Sequence, residues 1–188
     1  MSLPNRLTML RIVLAAAVFG ALMSEEPGWH SAALVMFVLA IITDWLDGWL
    51  ARRMKSVSSF GKVADPIADK ILVIGTLIAL IRLKELEVPL WAVFVIVMRE
   101  LVIGGVRVIA GAQGKVLAAD RWGKIKTAIQ LVAIMLMVGV VVAKDRGRAE
   151  PWMIKAVYPL TALCAVLALS SLASYLRQYR AMLEKSWE

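Results

Sequence analysis

Residues 44–69, DWLDGWLARRMKSVSSFGKVADPIAD, place four aspartates between two apolar segments. On a helix, Asp44 and Asp47 are three residues apart and Asp65 and Asp69 are four apart, so each pair shares one helical face. Carboxylates at these spacings repel, and a charged side chain at membrane depth costs roughly 2.5–3.5 kcal/mol on insertion scales. The pattern therefore indicates one or two bound divalent cations. Because no His or Cys is nearby, the oxygen ligands favour Mg²⁺ or Mn²⁺ over zinc.

The overall composition indicates a membrane protein. The chain has 188 residues, 61% of them hydrophobic, with a mean hydropathy of +0.76, which is too apolar for one soluble domain. Its net charge is +8. Basic residues beside membrane spans set topology or meet anionic headgroups, so we do not expect nucleic acid as a partner. Cys164 is interpreted as a packing residue, and His30 is placed in a short polar loop without a ligand or catalytic role.

Six apolar segments are each long enough to cross about 30 Å of hydrocarbon as a helix. They cover approximately residues 6–23, 30–51, 66–82, 89–110, 122–143 and 153–175. The segments between them are polar or rich in glycine and proline, as connecting loops are. Since no linker or repeat marks a second domain, we expect one domain over residues 1–188. The predicted fold is an all-α integral membrane protein, a bundle of six transmembrane helices.

The distribution of Lys and Arg predicts the orientation of this bundle. These residues are concentrated at the N-terminus, around 52–62, around 115–126 and at the C-terminus. By the positive-inside rule, both termini and the aspartate-rich stretch face the cytoplasm. The first and last segments are interpreted as simple membrane anchors, with Arg6 and Arg11 near the cytoplasmic end of the first. The fourth segment differs, because Arg99 and Glu100 interrupt it near its middle and such charges face a bundle interior or a cavity.

The fixed positions of the central stretch follow one pattern: Asp44-x2-Asp47-Gly48-x2-Ala51-Arg52-x8-Gly61-x3-Asp65-x3-Asp69. This pattern matches the signature of the CDP-alcohol phosphotransferase family, which the chain resembles. LPNRLTMLRI at the N-terminus, RELVIGGVR in the fourth segment and GKIKTAIQ in the fifth are most similar to family members that use sn-glycerol 3-phosphate as acceptor. The resemblance extends to about Gln130.

The resemblance implies an enzyme, a metal-dependent phosphatidyltransferase that condenses CDP-diacylglycerol with sn-glycerol 3-phosphate. The products are phosphatidylglycerophosphate and CMP. The implied metal ligands, for two Mg²⁺ or Mn²⁺ ions, are Asp44, Asp47, Asp65 and Asp69, and Asp69 is also the implied general base. The residues expected to bind CDP-diacylglycerol are Asn5, Thr8, Gly48, Ala51, Arg52, Ser58 and Gly61. The resemblance further implies a homodimer among the lipids of a bacterial-type cytoplasmic (inner) membrane, with the active site facing the cytoplasm.

A charge argument favours a phosphorylated acceptor. A dianionic phosphate needs two or three cationic donors placed together. The candidates for binding the acceptor phosphate are Arg99, Arg107, Lys124 and Lys126. The alternative for the lysines is that they only set topology, and Glu100 is expected to pair with an arginine across the bundle.

Three other functions remain open on the sequence alone. The same chemistry could use inositol phosphate, serine or phosphatidylglycerol as the acceptor. A cation transporter would also place aspartates inside a membrane, although transport sites usually lie near the midplane of repeated halves and no repeat is evident. A purely structural membrane adaptor would leave the four aspartates unexplained.

Overall fold

The computed structural model describes residues 3–54, 59–112 and 121–184. In these ranges the chain forms six long α-helices and no strand. They are α1 (Leu3–Met23), α2 (Pro27–Met54), α3 (Ser59–Arg82), α4 (Leu90–Ala112), α5 (Arg121–Asp145) and α6 (Pro151–Glu184), with a short 3₁₀ helix at Lys84–Leu86. The six predicted helical segments are thus confirmed as helices. Two ends differ most, because α3 begins at Ser59 rather than near 66 and α6 continues to Glu184 rather than 175, whereas the other ends lie within three residues of the predicted ones.

Four of the described helices contain a stretch that is long and apolar enough to cross a membrane, judged by length and composition. These stretches are Arg6–Met23, Gly28–Asp47, Ile125–Asp145 and Pro151–Arg180. The helices α3 and α4 fall outside this set, and both carry several of the charged residues discussed above. The chain therefore has the architecture of an all-helical membrane protein. Six spans and cytoplasmic termini stay predictions.

The described helices group into two compact units. The first comprises Met1–Val88 and Ile134–Lys155. In it, α1 packs against both α2 and α3. The sequence of α1 is rich in alanine, the best helix former, and small side chains let neighbouring helices approach closely. The core of this unit includes the fully buried Val18, Leu22, Phe37 and Leu77.

The second unit comprises Pro89–Ala133 and Ala156–Glu188. Its hydrophobic core is formed by Ile103, Val106 and Ala110 of α4 with Leu172 and Tyr175 of α6. These buried positions recur every three or four residues along each helix, which is the spacing of one helical face. The two faces pack together and thereby fix the rotation of α4 relative to α6 within this unit.

The end of α5 in the first unit is closed by a Schellman motif. Gly147 has φ +63°, its N–H donates to the carbonyl of Lys144 at 2.8 Å, and the N–H of Arg148 donates to the carbonyl of Ala143 at 2.8 Å. Pro151 then begins α6, a position at which the missing proline N–H is tolerated. Asp145, the last residue of α5, lies beside the first turns of α2, where it contacts His30.

The loop position predicted for His30 is wrong. Pro27 already begins α2, so His30 lies in the first turns of that helix and is buried. Its Nδ1 is 2.6 Å from Oδ2 of Asp145 and its Nε2 is 3.1 Å from the carbonyl oxygen of Ser24. His30 therefore links α2 to the ends of α1 and α5, a structural role within the first unit.

Candidate active site

The aspartate-rich stretch converges on Arg11 of α1. Nη1 of Arg11 lies 2.9 Å from Oδ1 of Asp44 and 3.1 Å from Oδ1 of Asp69, and its Nη2 lies 3.6 Å from Oδ2 of Asp47. Arg11 is fully buried. The site is therefore assembled from α1, α2 and α3, three helices that the packing of the first unit brings together.

The two aspartates of α2 reach the same guanidinium, as their spacing of three residues predicts. One turn before Arg11 on α1, the hydroxyl of Thr8 donates to Oδ2 of Asp47 at 3.3 Å. Thr8 and Asp47 are both buried, so they fix the inner part of the site together with Arg11.

The outer part of the site is open. The side chains of Asp44 and Asp69 are 49% and 54% exposed, whereas that of Asp47 is 4% exposed. A ligand arriving from solvent can therefore contact Asp44 and Asp69 while the inner groups hold these carboxylates in place. Within the first unit, these accessible carboxylates are the kind of oxygen ligand that a divalent cation takes.

The possible metal ligands of the site suit a hard divalent ion, because all of them are carboxylate or hydroxyl oxygens. Three carboxylates share one guanidinium, so their combined charge exceeds that of Arg11. Over the described side chains, no three His, Cys, Asp or Glu lie close enough together to hold an ion. The guanidinium lies between Asp44 and Asp69, and a metal held by both would require it to shift.

The structure describes fewer of the other predicted site residues. Asp65 lies in α3, as does Gly61, and Asn5 lies in α1, but their side chains are not among those described. Gly48, Ala51 and Arg52 lie in the last turns of α2, likewise without described side chains. Ser58 lies outside the described residues. Contacts of these residues with a metal or with CDP-diacylglycerol stay predictions.

A second charged cluster lies in the other unit. Oε1 of Glu100 accepts from Nη1 of Arg99 at 2.8 Å and from Nζ of Lys126 at 2.7 Å, and Nη2 of Arg99 donates to Oγ of Ser171 at 2.9 Å. We refer to Arg99, Glu100, Lys126 and Ser171 as the Glu100 cluster. The cluster joins α4, α5 and α6. Arg99, Lys126 and Ser171 are buried, and the side chain of Glu100 is largely buried.

The Glu100 cluster differs in one respect from the sequence expectation. Glu100 does pair with an arginine, but that arginine is its neighbour Arg99 on the same helix, and the partner from another helix is Lys126. Arg107 is exposed, and within the described part of the chain no hydrogen bond or ion pair joins it to the cluster. The side chain of Lys124 is not described. Of the four predicted acceptor-phosphate residues, the structure brings Arg99 and Lys126 together.

The most important residue that the sequence analysis missed is Arg11, which had been interpreted as a charge at the end of a membrane anchor. Two signals were available. Arg11 is followed by the long apolar run IVLAAAVFGALM, and Thr8 lies three residues before it on the same helical face. A buried arginine in such a helix requires a counter-ion, and the aspartates supply it.

Comparison with known proteins shows the family to which the chain belongs. The family model of the CDP-alcohol phosphatidyltransferases matches residues 1–167. The chain belongs to this family, and it is therefore a transferase. Members of the family depend on divalent metal ions.

Several relatives share one name, CDP-diacylglycerol–glycerol-3-phosphate 3-phosphatidyltransferase. The protein of that name from Bacillus subtilis (strain 168) is 38% identical over 146 residues, which are 71% of this chain and 74% of the relative. The one from Pseudomonas fluorescens is 35% identical over 144 residues, 73% of this chain and 72% of the relative. A cardiolipin synthase (CMP-forming) from Oryza sativa subsp. japonica is 33% identical over 192 residues, 95% of this chain and 57% of the relative.

Proposed function

We propose that this protein condenses CDP-diacylglycerol with sn-glycerol 3-phosphate to give phosphatidylglycerophosphate and CMP. The observation that carries the proposal is the convergence of Asp44, Asp47 and Asp69 at a partly open site. It occurs in a family member whose relatives from two bacteria are named for this reaction. The shared name supports sn-glycerol 3-phosphate as the acceptor.

The four aspartates are the proposed ligands of two Mg²⁺ or Mn²⁺ ions, which would neutralise charge on the pyrophosphate and on the departing CMP. Arg11 is proposed to act as a positioning residue. Its guanidinium contacts Asp44 and Asp69 through Nη1 and Asp47 through Nη2, so it holds the carboxylates of α2 and α3 together in the metal-free site and would shift when a metal binds between them. Thr8 restrains Asp47 from the other side through its hydroxyl.

Asp69 is the proposed general base. Its carboxylate takes the proton of the acceptor hydroxyl, and the acceptor oxygen forms a bond to the lipid-linked phosphorus of CDP-diacylglycerol. The bond between that phosphorus and the bridging oxygen breaks, and CMP leaves with the electron pair. The half-exposed side chain of Asp69 is accessible to an incoming hydroxyl, whereas the buried Asp47 is not. This difference separates Asp69 from Asp47, and the choice of Asp69 over the similarly exposed Asp44 rests on the resemblance to the family motif.

The nucleotide is proposed to bind next to the aspartates. Arg52 can hold a phosphate through two parallel hydrogen bonds, and the hydroxyl of Ser58 can donate to another phosphate oxygen. Gly48 and Gly61 lack side chains, which allows a nucleotide to approach the backbone closely. Asn5, Thr8 and Ala51 complete the proposed set. The support is that all of these positions belong to the motif or to the flanking segment of α1.

The acceptor phosphate is proposed to bind Arg99 and Lys126, with Arg107 and Lys124 as further cationic candidates. Arg99 and Lys126 are buried, and both donate hydrogen bonds to the same carboxylate oxygen of Glu100. Two positive charges therefore already lie within reach of one anionic group. Buried cationic donors bind anions more strongly than exposed ones because water screens them less.

We place the protein in the cytoplasmic (inner) membrane with the aspartates facing the cytoplasm, among membrane lipids and as a homodimer. The basic residues near the helix ends support this orientation. The small residues Gly104 and Gly105 of α4 are candidates for helix–helix contact, either between copies or inside the bundle. Crosslinking of the detergent-solubilised protein tests the dimer.

The test of the proposed function is CMP release by purified, detergent-solubilised protein supplied with CDP-diacylglycerol. Acceptors are offered one at a time, with Mg²⁺, Mn²⁺ or EDTA. We expect release that requires both a divalent ion and sn-glycerol 3-phosphate. No release with any acceptor, from protein shown to be folded, would contradict the proposal.

The second candidate is the same chemistry with phosphatidylglycerol as the acceptor. The observation that favours it is the match of 95% of this chain to a cardiolipin synthase (CMP-forming). Metal-dependent release with phosphatidylglycerol but not with sn-glycerol 3-phosphate would establish it. Inositol phosphate and serine are tested in the same series. The cation transporter loses its support, since the family consists of transferases.

A further inference from the structure

The Glu100 cluster has more hydrogen-bond donors than acceptors. Arg99 and Lys126 together carry eight N–H groups, as any arginine and lysine do, and a single oxygen, Oε1 of Glu100, accepts from both. Nε of Arg99 is buried and has no acceptor among the described residues. The same is true of Nε2 of Gln130, one turn after Lys126 on the same face of α5. Buried donors without acceptors are rare, and a water molecule or an anion that supplies oxygens would satisfy them.

The cluster also lines a cavity. A space of about 320 Å³ lies between α5 and α6 and is lined by Ile125, Lys126, Ile129, Leu167, Ser170, Ser171 and Ser174. Its volume lies at the lower end of the usual range for small-molecule sites. Lys126 and Ser171 thus belong both to the cavity wall and to the cluster, so a small anion in the cavity can reach Lys126 and lies beside Ser171, which accepts a hydrogen bond from Arg99.

We infer that Glu100 is a built-in counter-ion that occupies the phosphate subsite and competes with the acceptor phosphate for Arg99 and Lys126. One carboxylate oxygen lies 2.8 Å from Nη1 of Arg99 and 2.7 Å from Nζ of Lys126, which are the distances of charge-assisted hydrogen bonds to any oxyanion. Glu100 therefore stands where a phosphate oxygen binds. A phosphate that enters must displace this oxygen. The subsite therefore selects acceptors whose phosphate binds Arg99 and Lys126 more strongly than the carboxylate of Glu100 does.

The counter-ion has a second consequence. Without it, Arg99 and Lys126 would be two buried like charges, a costly arrangement in the absence of ligand. Glu100 keeps the empty subsite stable and lowers its affinity for phosphate in return. The identity of the acceptor rests on the proposed function, but binding of a phosphate anion in competition with Glu100 does not.

The test compares Glu100→Gln with wild type in two measurements. In the first, thermal unfolding is followed against inorganic phosphate concentration in EDTA, so that phosphate cannot act through divalent metals. The amide of glutamine keeps the shape but not the charge, so we expect the apparent Kd for phosphate to fall on the order of tenfold. Adding Arg99→Ala to Glu100→Gln is expected to remove the phosphate effect. An unchanged or weaker affinity for phosphate in Glu100→Gln would overturn the inference.

In the second measurement, steady-state kinetics separate the two substrates. We expect the KM for sn-glycerol 3-phosphate to fall about tenfold, while the KM for CDP-diacylglycerol changes by less than about twofold. A rise in the acceptor KM would show instead that Glu100 only holds Arg99 and Lys126 in position. Glu150→Gln is the matched control, because Glu150 is exposed and lies in the α5–α6 loop.

Two further arms keep the outcomes distinct. If Glu100→Gln does not fold, Glu100→Asp retains the charge but shortens the side chain, and it is expected to bind phosphate more tightly than wild type because it cannot reach both cations. An equal or weaker affinity in Glu100→Asp would contradict the inference. If wild type releases no CMP with sn-glycerol 3-phosphate, the proposed function fails, and the phosphate titration still decides the role of Glu100.

Discussion

The two charged clusters of this protein are opposites in composition. Around Arg11, three carboxylates share one guanidinium, whereas in the Glu100 cluster two cations share one carboxylate oxygen. The first has an excess of negative charge and attracts cations, and the second has an excess of positive charge and attracts anions. Each contains one internal counter-ion, Arg11 or Glu100. In each cluster, therefore, the internal counter-ion has the same sign of charge as the proposed ligand and stabilises the cluster in its absence.

The comparison predicts first that removal of divalent metal abolishes activity. Addition of EDTA should reduce CMP release below detection, because the carboxylates around Arg11 cannot by themselves neutralise a pyrophosphate. Restoring Mg²⁺ or Mn²⁺ should recover the rate. Undiminished release in EDTA would mean that the aspartate cluster does not act through metal ions.

The next largest effect is expected for Asp69→Asn, which removes the proposed base. Turnover should fall by about 10²–10⁴-fold, the usual contribution of general-base catalysis, without loss of the fold. Thermal unfolding and CMP release are measured together. Asp145→Asn, a carboxylate of the same unit that pairs with His30, serves as a control that should retain turnover. Normal turnover in folded Asp69→Asn would remove this residue from the mechanism.

Substitution of Arg99 tests the cationic cluster. Arg99→Ala should raise the KM for sn-glycerol 3-phosphate by about 10–100-fold and the KM for CDP-diacylglycerol by much less. Arg107→Ala is the matched comparison, and it should have a smaller effect because Arg107 is exposed and outside the cluster. Equal increases in both KM values for Arg99→Ala would argue against an acceptor-phosphate site there.

Arg11→Gln tests whether Arg11 is the counter-ion of the aspartates. In EDTA, we expect the free energy of unfolding to fall by roughly 2–4 kcal/mol. This is somewhat less than for a fully buried ion pair, because Asp44 and Asp69 are half exposed. Mg²⁺ should restore part of the loss, since an ion bound to the native state stabilises it. Arg6→Gln, an exposed arginine on the same helix, is the control. A loss that is the same with and without Mg²⁺ would separate Arg11 from the metal site.

The smallest effect is expected at the other end of the first unit. His30→Gln should weaken the hydrogen bonds to Asp145 and Ser24 and lower the free energy of unfolding by roughly 1–2 kcal/mol. Neither KM value should change, because His30 belongs to neither cluster. A change in acceptor KM in this variant would show that stability alone can mimic the effects assigned to the clusters.

Much of the architecture was predictable because it depends on local pattern. The lengths of the apolar runs predict six helices, and the spacing of Asp44 and Asp47 predicts that they share a face, as their common contact with Arg11 shows. The motif from Asp44 to Asp69 also predicts the family, which the match over residues 1–167 establishes. Helix ends were less predictable, since polar residues such as those at the start of α3 can be helical without being apolar.

The helices, the family and the placement of charges on helical faces could be inferred from the sequence, because each of these depends on residues close together in the chain. Which helical faces meet could be known only from the packing of the helices. Arg11 and Asp69 are 58 positions apart, and Arg99 and Ser171 are 72 apart. Periodicity fixes a side chain's direction on its own helix, whereas the partner depends on how helices pack. For this reason Arg11 could be taken for an anchor charge and Arg107 for a companion of Arg99 until the helices were seen together.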